Sequence, residues 1–211
     1  MIIASTLQKS FGPQTLFDDV SFLINKGERI GLVGKNGTGK STLFKMIMGE
    51  EKQDSGTLST PKGYNIGALD PHIHFTKPTV IDECIEALPT EKQWDHYKAE
   101  IILSGLGFSE QDFQKDPTTF SGGFQVRINL CKALLADPNM LLLDEPTNYL
   151  DILSLRWLKD YLNKWPGEMM LITHDRDFMD QVTTHTLGLH RRQARKVSGG
   201  TIKFYELIIQ E

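Results

Sequence analysis

With 211 residues, 39% of them hydrophobic and 24% charged, the chain is long enough to bury a core of its own and is not composed like a disordered one. Its formal charge of −4 excludes a protein that coats nucleic acid by bulk electrostatics, though a local basic patch is compatible with it. No apolar run approaches the ~18 residues of a bilayer-spanning helix, and the start, Met1-Ile2-Ile3-Ala4-Ser5-Thr6, lacks the charged and long apolar regions of a leader, so a cytoplasmic protein with no membrane segment of its own is expected.

The N-terminal third alternates extended runs with turn signals. Ile2 to Leu7 is followed by a break at Gly12-Pro13, and Val20 to Ile24 by a turn at Asn25-Lys26-Gly27, which predicts an antiparallel sheet leading into the core. Phe11, just before the Gly-Pro break, either packs or stacks on a base. The apolar run Arg29 to Val33 then enters Gly34-Lys35-Asn36-Gly37-Thr38-Gly39-Lys40-Ser41-Thr42, and a helix-like run follows from Thr42 to Met48. Strand, glycine-rich loop and helix in this order form a phosphate-binding loop, whose amide N–H groups and helix dipole cradle an anion. Lys40 then reaches the β- and γ-phosphates and the Ser41 hydroxyl ligates Mg²⁺.

After a turn at Asp54-Ser55-Gly56-Thr57, Tyr64 to Leu69 reads as a strand ending at Asp70-Pro71-His72-Ile73-His74. His72 and His74 lack a third ligand at suitable spacing and read as loop residues rather than a metal site. From about 78 to 119, Val80, Cys84, Ile85 and Leu88, and then Tyr97, Ile101 and Leu106, follow helical spacing, which predicts a small helical insertion with Trp94 and Tyr97 in its packing. Cys84 and Cys131, far apart in sequence and outside any Cys-x-x-Cys pattern, read as reduced, partly buried thiols.

Ser121-Gly122-Gly123 opens an apolar-rich helical run through Leu135, with Ser121 as a suitable N-cap and first-turn amides left uncovered by the glycines. This is a second anion-binding helix start, fitted to a nucleotide on another domain. Met140 to Leu143 is a continuous apolar run, as in a strand buried on both faces, and it ends in Asp144-Glu145. Ligands of open α/β sheets sit beyond the carboxyl ends of the strands, so Asp144 is expected to hold Mg²⁺ and Glu145 to deprotonate a water attacking the γ-phosphate. His174, after the apolar run Met169 to Thr173, is placed to donate to a phosphate oxygen.

Taken together, GKNGTGKST, FSGGFQVR, MLLLDEPTNYLD and ITHDRDFMD resemble, in order and spacing, the motifs of an ATP-binding cassette domain. DEPTN in place of DEPTS, the aromatic Phe124 after the two glycines, and His-Asp-Arg-Asp-Phe after the last strand resemble the ABC-F subfamily, and within it a first (N-terminal) cassette of a tandem protein. The resemblance covers essentially the whole chain. It implies an α/β P-loop NTPase fold, a single domain over 1–211 with an antiparallel β subdomain and a helical subdomain at about 79–119, the core being about 1–78 and 120–211.

It further implies that ATP and Mg²⁺ are the cofactors. Phe11 stacks on adenine, residues Gly34 and Asn36 to Thr42 hold phosphates, and Ser121, Gly122 and Gly123 touch the γ-phosphate of ATP on an opposing cassette. Lys40, Glu145 and His174 carry the catalytic roles of an ATPase, Ser41 and Asp144 hold the metal, and Asp151 speaks across the interface. The implied partner is a second cassette, in the same full-length chain or a homodimer, with the ribosome or ribosomal RNA as the place of action.

Three features depart from the family pattern. Asp70-Pro71-His72 stands where a glutamine is expected, with Asp70 as a substitute water or Mg²⁺ contact. Tyr149 replaces a frequent histidine, and the long charged arm of first cassettes is absent or rudimentary. The basic run His190 to Lys196 reads equally as an RNA-phosphate contact or a solvated hairpin edge. The chain stops about where a linker to a second cassette would begin, which reads as a fragment or a lone half of a tandem protein. The competing readings are the energy subunit of a membrane transporter and a nucleotide-responsive binding module with little turnover.

Overall fold

In a computed structural model describing residues 1–70, 72–92 and 94–209, the alternating segments Ile2–Phe11 (β1) and Gln14–Ile24 (β2) form an antiparallel hairpin, and Ser55–Ser59 (β4) pairs on the other edge of β1. Alternation, reset by irregularities at Thr6 and Asp19 (φ 49° and 63°), gives this sheet one buried face, carrying Ile2, Leu7, Phe17, Val20 and Ile24, and one wet face.

The second sheet has the order β5-β6-β7-β3-β8-β9. Its strands are Ile66–Ala68 (β5), Met140–Asp144 (β6), Glu168–Ile172 (β7), Arg29–Gly34 (β3), His185–His190 (β8) and Gln193–Ser198 (β9). All neighbours run parallel except β8 and β9, which form a hairpin. The unbroken apolar runs follow from burial of both faces. Leu141, Leu143, Met169 and Leu171 enter one core with the helices Val80–Ile85 (α2), His96–Gly105 (α3), Gly122–Leu135 (α4), Ile152–Asn163 (α5) and Arg176–Val182 (α6). Met140, Leu142, Met170 and Ile172 enter the other, with Lys40–Met48 (α1) and the antiparallel sheet.

Several sequence expectations shift. The strand expected at 64–69 is limited to Ile66–Ala68. Trp94 and Tyr97 are not packed inside: they are 92% and 55% exposed. Of the expected set Tyr97, Ile101 and Leu106 only Leu106 is buried; Ala99, Ile102 and Leu103 also have helical spacing, and it is their face that turns inward with it. Cys84 and Cys131 are fully buried rather than partly so, and they meet across α2 and α4; burial, helped by a hydrogen bond with Cys84, raises the Cys131 pKa. Arg191 and Arg192, both at positive φ, make the β8–β9 turn, and the Asp18 amide donates to the Arg192 carbonyl at 2.8 Å. Pro71, in the segment replacing the glutamine, lies outside the described residues, as do Gln210 and Glu211. A final helix, Thr201–Ile209 (α7), packs Phe204 against Gly188 of β8.

Candidate active site

The phosphate loop joins β3 to α1. Gly37 and Gly39 have φ of 79° and 97°, a region that costs any L side chain. Gly39 has a second constraint, since a Cβ there would lie 2.7 Å from the Phe17 ring. The loop folds on itself through Thr38, whose amide and hydroxyl both donate to the Lys35 carbonyl (3.2 and 2.8 Å). Gly39 offers α1 no side-chain cap, so its first-turn N–H groups are left for another acceptor, and Gly39, Lys40, Ser41 and Thr42 line the cleft where an anion would sit. The Lys40 ammonium lies over the loop, donating to the carbonyls of Gly34 (2.9 Å) and Lys35 (3.3 Å).

Because β6, β7 and β3 are parallel, their carboxyl ends reach the same edge of the sheet, and Asp144 meets α1 across the width of β7. The Ser41 hydroxyl donates to Asp144 Oδ2 at 3.3 Å. Desolvation raises the Asp144 pKa, with Ser41 and Lys40 opposing it. Glu145 sits at φ 50°, an unusual conformation for a non-glycine residue, held by its amide donating to the Ile172 carbonyl at 2.8 Å. Its carboxylate accepts from the His174 amide at 3.3 Å, and His174 Nε2 lies 3.4 Å from the other oxygen.

These groups share a cleft of about 470 Å³ with Phe11, Gln14, Leu16, Asn36, Thr42 and Ile172. Phe11 is 48% exposed there. A larger hollow of about 720 Å³, between α3 and Trp157, has no phosphate-binding loop in its lining, so size alone does not locate the chemistry. Ser41 Oγ and Asp144 Oδ2 are hard oxygen donors facing one space, a set that fits Mg²⁺. Among the described residues no group of three His, Cys, Asp or Glu side chains converges.

Ser121, Gly122 and Gly123 do not line this cleft. Ser121 takes the N-cap position of α4, but its hydroxyl makes no capping bond, and a Cβ on Gly122 would meet nothing within 4 Å. Asp151 is tied into its own chain: it caps α5 through the amides of Leu153 (3.0 Å) and Ser154 (2.9 Å) and accepts from Arg127 at 3.1 Å. The Ser154 amide, with Arg127 adding, holds its pKa down to about 2. Asp70 is not a cleft residue either; its carboxylate accepts from the His72 amide at 2.7 Å.

Three side chains escaped the sequence reading. Buried Arg127 donates to the carbonyls of Leu106 (2.8 Å) and Tyr149 (2.9 Å from Nε), joining the end of α3, the start of α4 and the loop after Glu145. Asn129 donates to the carbonyls of Asp70 and His72, both at 3.1 Å, pinning that loop to α4. The Lys9 ammonium stands over the Phe11 ring, 4.8 Å from its centroid. For Arg127 and Asn129 the signal was a polar residue inside an apolar helical run.

A phosphate loop on the central strand of a parallel sheet, an acid pair two strands away and an antiparallel sheet closing one face define an ATP-binding cassette ATPase domain. The chain belongs to the ABC transporter family, whose family model matches residues 17–148. It is 38% identical over 205 residues to the energy-dependent translational throttle protein EttA of Escherichia coli K12, covering 96% of this chain and 36% of that protein. It is 32% identical over 234 residues to the probable ATP-binding protein YheS of Haemophilus influenzae, covering 97% and 37%. These relatives agree with the ABC-F resemblance of the motifs, and the chain spans little more than a third of their length. Among solved structures, the ATP-binding subunit of an ABC transporter superposes over the whole of both chains with TM-score 0.84 at 20% identity. A dimeric post-hydrolysis ATP-binding cassette bound to ADP and Pi superposes over 94% of this chain and 98% of that one, with TM-score 0.73 and 20% identity. No helix among the described residues is long and apolar enough to cross a membrane.

Proposed function

We propose that this chain is one cassette of a cytoplasmic ABC-F type ATPase that works as a pair, hydrolysing ATP to drive an association switch on the ribosome. The observation that carries this is the division of the site within one chain. The cleft holds the phosphate loop and both acids, while the uncapped Ser121 hydroxyl and the open Gly122 lie outside it, free to meet a nucleotide held by a second cassette. The relatives support the place of action, one of them being a translational throttle protein by name. The division into a core and a helical part at about 79–119 belongs to the same reading.

In this reading Phe11 carries the base and the α1 amides with Lys40 carry the phosphates. A phosphate competes with the Gly34 and Lys35 carbonyls for the three Lys40 donors, so the ammonium swings from the loop onto the nucleotide. Ser41 and Asp144 would hold Mg²⁺, which when bound neutralises charge on the β- and γ-phosphates. Glu145 accepts the proton of the attacking water; the His174 backbone amide, which donates to its carboxylate at 3.3 Å, orients it, and the single ring N–H of His174 is left to donate toward the γ-phosphate oxygens. Ser121 and the first amides of the partner's α4 complete the anion site.

Glu145→Gln keeps the shape of the base and removes its proton affinity. In the full-length protein it should retain ATP, lower phosphate release by about 100-fold or more, and trap the paired, ribosome-bound form in sedimentation with Mg²⁺-ATP. Undiminished hydrolysis would remove Glu145 from the role of base. Copurification of the trapped form with a membrane permease instead of ribosomes would make the chain a transporter subunit.

A further inference from the structure

We infer that Lys9 is a positioning residue for nucleotide recognition, its buried ammonium fixing the Phe11 ring at a set place relative to the phosphate loop and tuning the ring's affinity for a purine base. The inference rests on the reading of Phe11 as the base platform. Lys9 is 7% exposed, a rare state for lysine, and all its donors are engaged: Glu51 at 2.6 Å, the Lys52 carbonyl at 2.7 Å and Asp54 at 3.5 Å. The same nitrogen stands over the Phe11 ring, 4.8 Å from its centroid. Phe11 lines the cleft and Lys9 does not; in this inference the cation occupies the ring face turned away from the nucleotide.

Two consequences follow. A cation over one face draws π density toward itself, leaving the other face better matched to the electron-rich ring of a purine. The geometric consequence is a fixed spacing. Glu51 and Lys52 belong to the segment that leaves α1, and the amides of Glu50 and Glu51 donate back to the Lys45 carbonyl (2.9 and 3.2 Å). Asp54 also accepts from the Ser10 amide at 2.7 Å, beside Phe11. One network thus joins the base platform to the helix whose other end holds the phosphates, and the base and phosphates of a nucleotide are themselves a fixed length apart. The hydrogen bond to Glu51 raises the Lys9 pKa against desolvation, so the charge persists at neutral pH.

The test compares Mg²⁺-ATP with Mg²⁺-tripolyphosphate, which has no base, by titration calorimetry on the 211-residue chain. Lys9→Met should weaken ATP by about 3- to 10-fold and leave tripolyphosphate within about twofold. On a Phe11→Ala background, Lys9→Met should add nothing, because it acts through the ring. Equal losses for both ligands, additive losses in the double variant, or no loss would each overturn the inference. If Lys9→Met fails to fold by circular dichroism, Glu51→Gln, which loosens the ammonium without removing it, is read in its place for the same ATP-selective loss. Should Phe11→Ala leave ATP binding unchanged, the base-platform reading falls and this inference with it. Loss in Phe11→Ala alone leaves that reading standing and removes Lys9 from it.

Discussion

Asp144 is a carboxylate at the carboxyl end of a buried strand, and it is stabilised there less well than in water. Desolvation raises its pKa, so between the ordinary aspartate value and the raised one the folded chain binds more protons than the unfolded chain. By linkage the stability contributed at this site falls as pH rises through that window, and at neutral pH the ionised group is a net cost. Asp144→Asn should therefore raise the melting temperature of the nucleotide-free chain at pH 7, by about 2–4 °C for each kcal/mol relieved, with a smaller gain near pH 4. It should also weaken Mg²⁺-ATP binding. A melt with no gain at pH 7 would mean that Ser41 and Lys40 already offset the burial. Glu145 tells a related story: at φ 50° its carboxylate lies 3.4 Å from His174 Nε2, and a non-glycine residue in that region carries a backbone cost, which on the proposed function serves the positioning of the base. The identities of both acids were legible from the end of an apolar run. Their environments were not, because desolvation depends on what covers the strand end.

Two glycines separate packing from function at the level of the elements. A Cβ on Gly188 would stand 1.8 Å from Cζ of buried Phe204, so β8 and α7 touch only because this residue has no side chain. Gly188→Ala should cost about 1–3 kcal/mol, seen as a lower midpoint in urea with an unchanged slope. At Gly122 a Cβ meets nothing within 4 Å, and its place in the first turn of α4 tolerates alanine. Gly122→Ala should leave stability within about 0.5 kcal/mol and, if the proposed pairing holds, lower hydrolysis by the paired cassettes about tenfold or more, because in that reading the space it fills receives the nucleotide of the partner cassette. Equal loss of stability at both positions would mean that Gly122 is needed by its own chain. Periodicity found the helices and strands around these residues but misjudged which face of α3 turns inward, since Tyr97 and Ile101 have the same spacing as the residues that do.

Across the whole molecule, the two sheets are joined at Glu28. Desolvation would raise its pKa, but hydrogen bonds from Asn25 and Lys196 prevail and bring it down to about 2. Its carboxylate accepts from the Asn25 amide (2.8 Å) and side chain (2.9 Å), pairs with Lys196 of β9, and stands 3.4 Å from His185 of β8. With the folded pKa below the unfolded value, this site contributes stability above about pH 4.5 that is lost as pH falls toward 2, on the order of 2–3 kcal/mol. Glu28→Gln should lower stability at pH 7 by about that amount and flatten the acid limb between pH 2 and 5, measured by urea unfolding at several pH values. A limb as steep as in the parent chain would place the acid sensitivity elsewhere.

What the sequence determined by itself is the chemistry that is local along the chain. Glycines at 37 and 39, lysine and serine at the helix start, paired acids after an apolar run and a second uncovered helix start each impose their conformation within a few residues, so they could be read without a fold. The tertiary structure alone decided which of these meet. Ser41 reaches Asp144 because β7 lies between β6 and β3 and all three end at one edge; Ser121 stands apart because α4 begins elsewhere. Lys9 stands over Phe11, and Arg127 joins three segments, through contacts between residues distant in sequence. Strand order and the path of the chain set those contacts, and neither is written in the periodicity of any single segment.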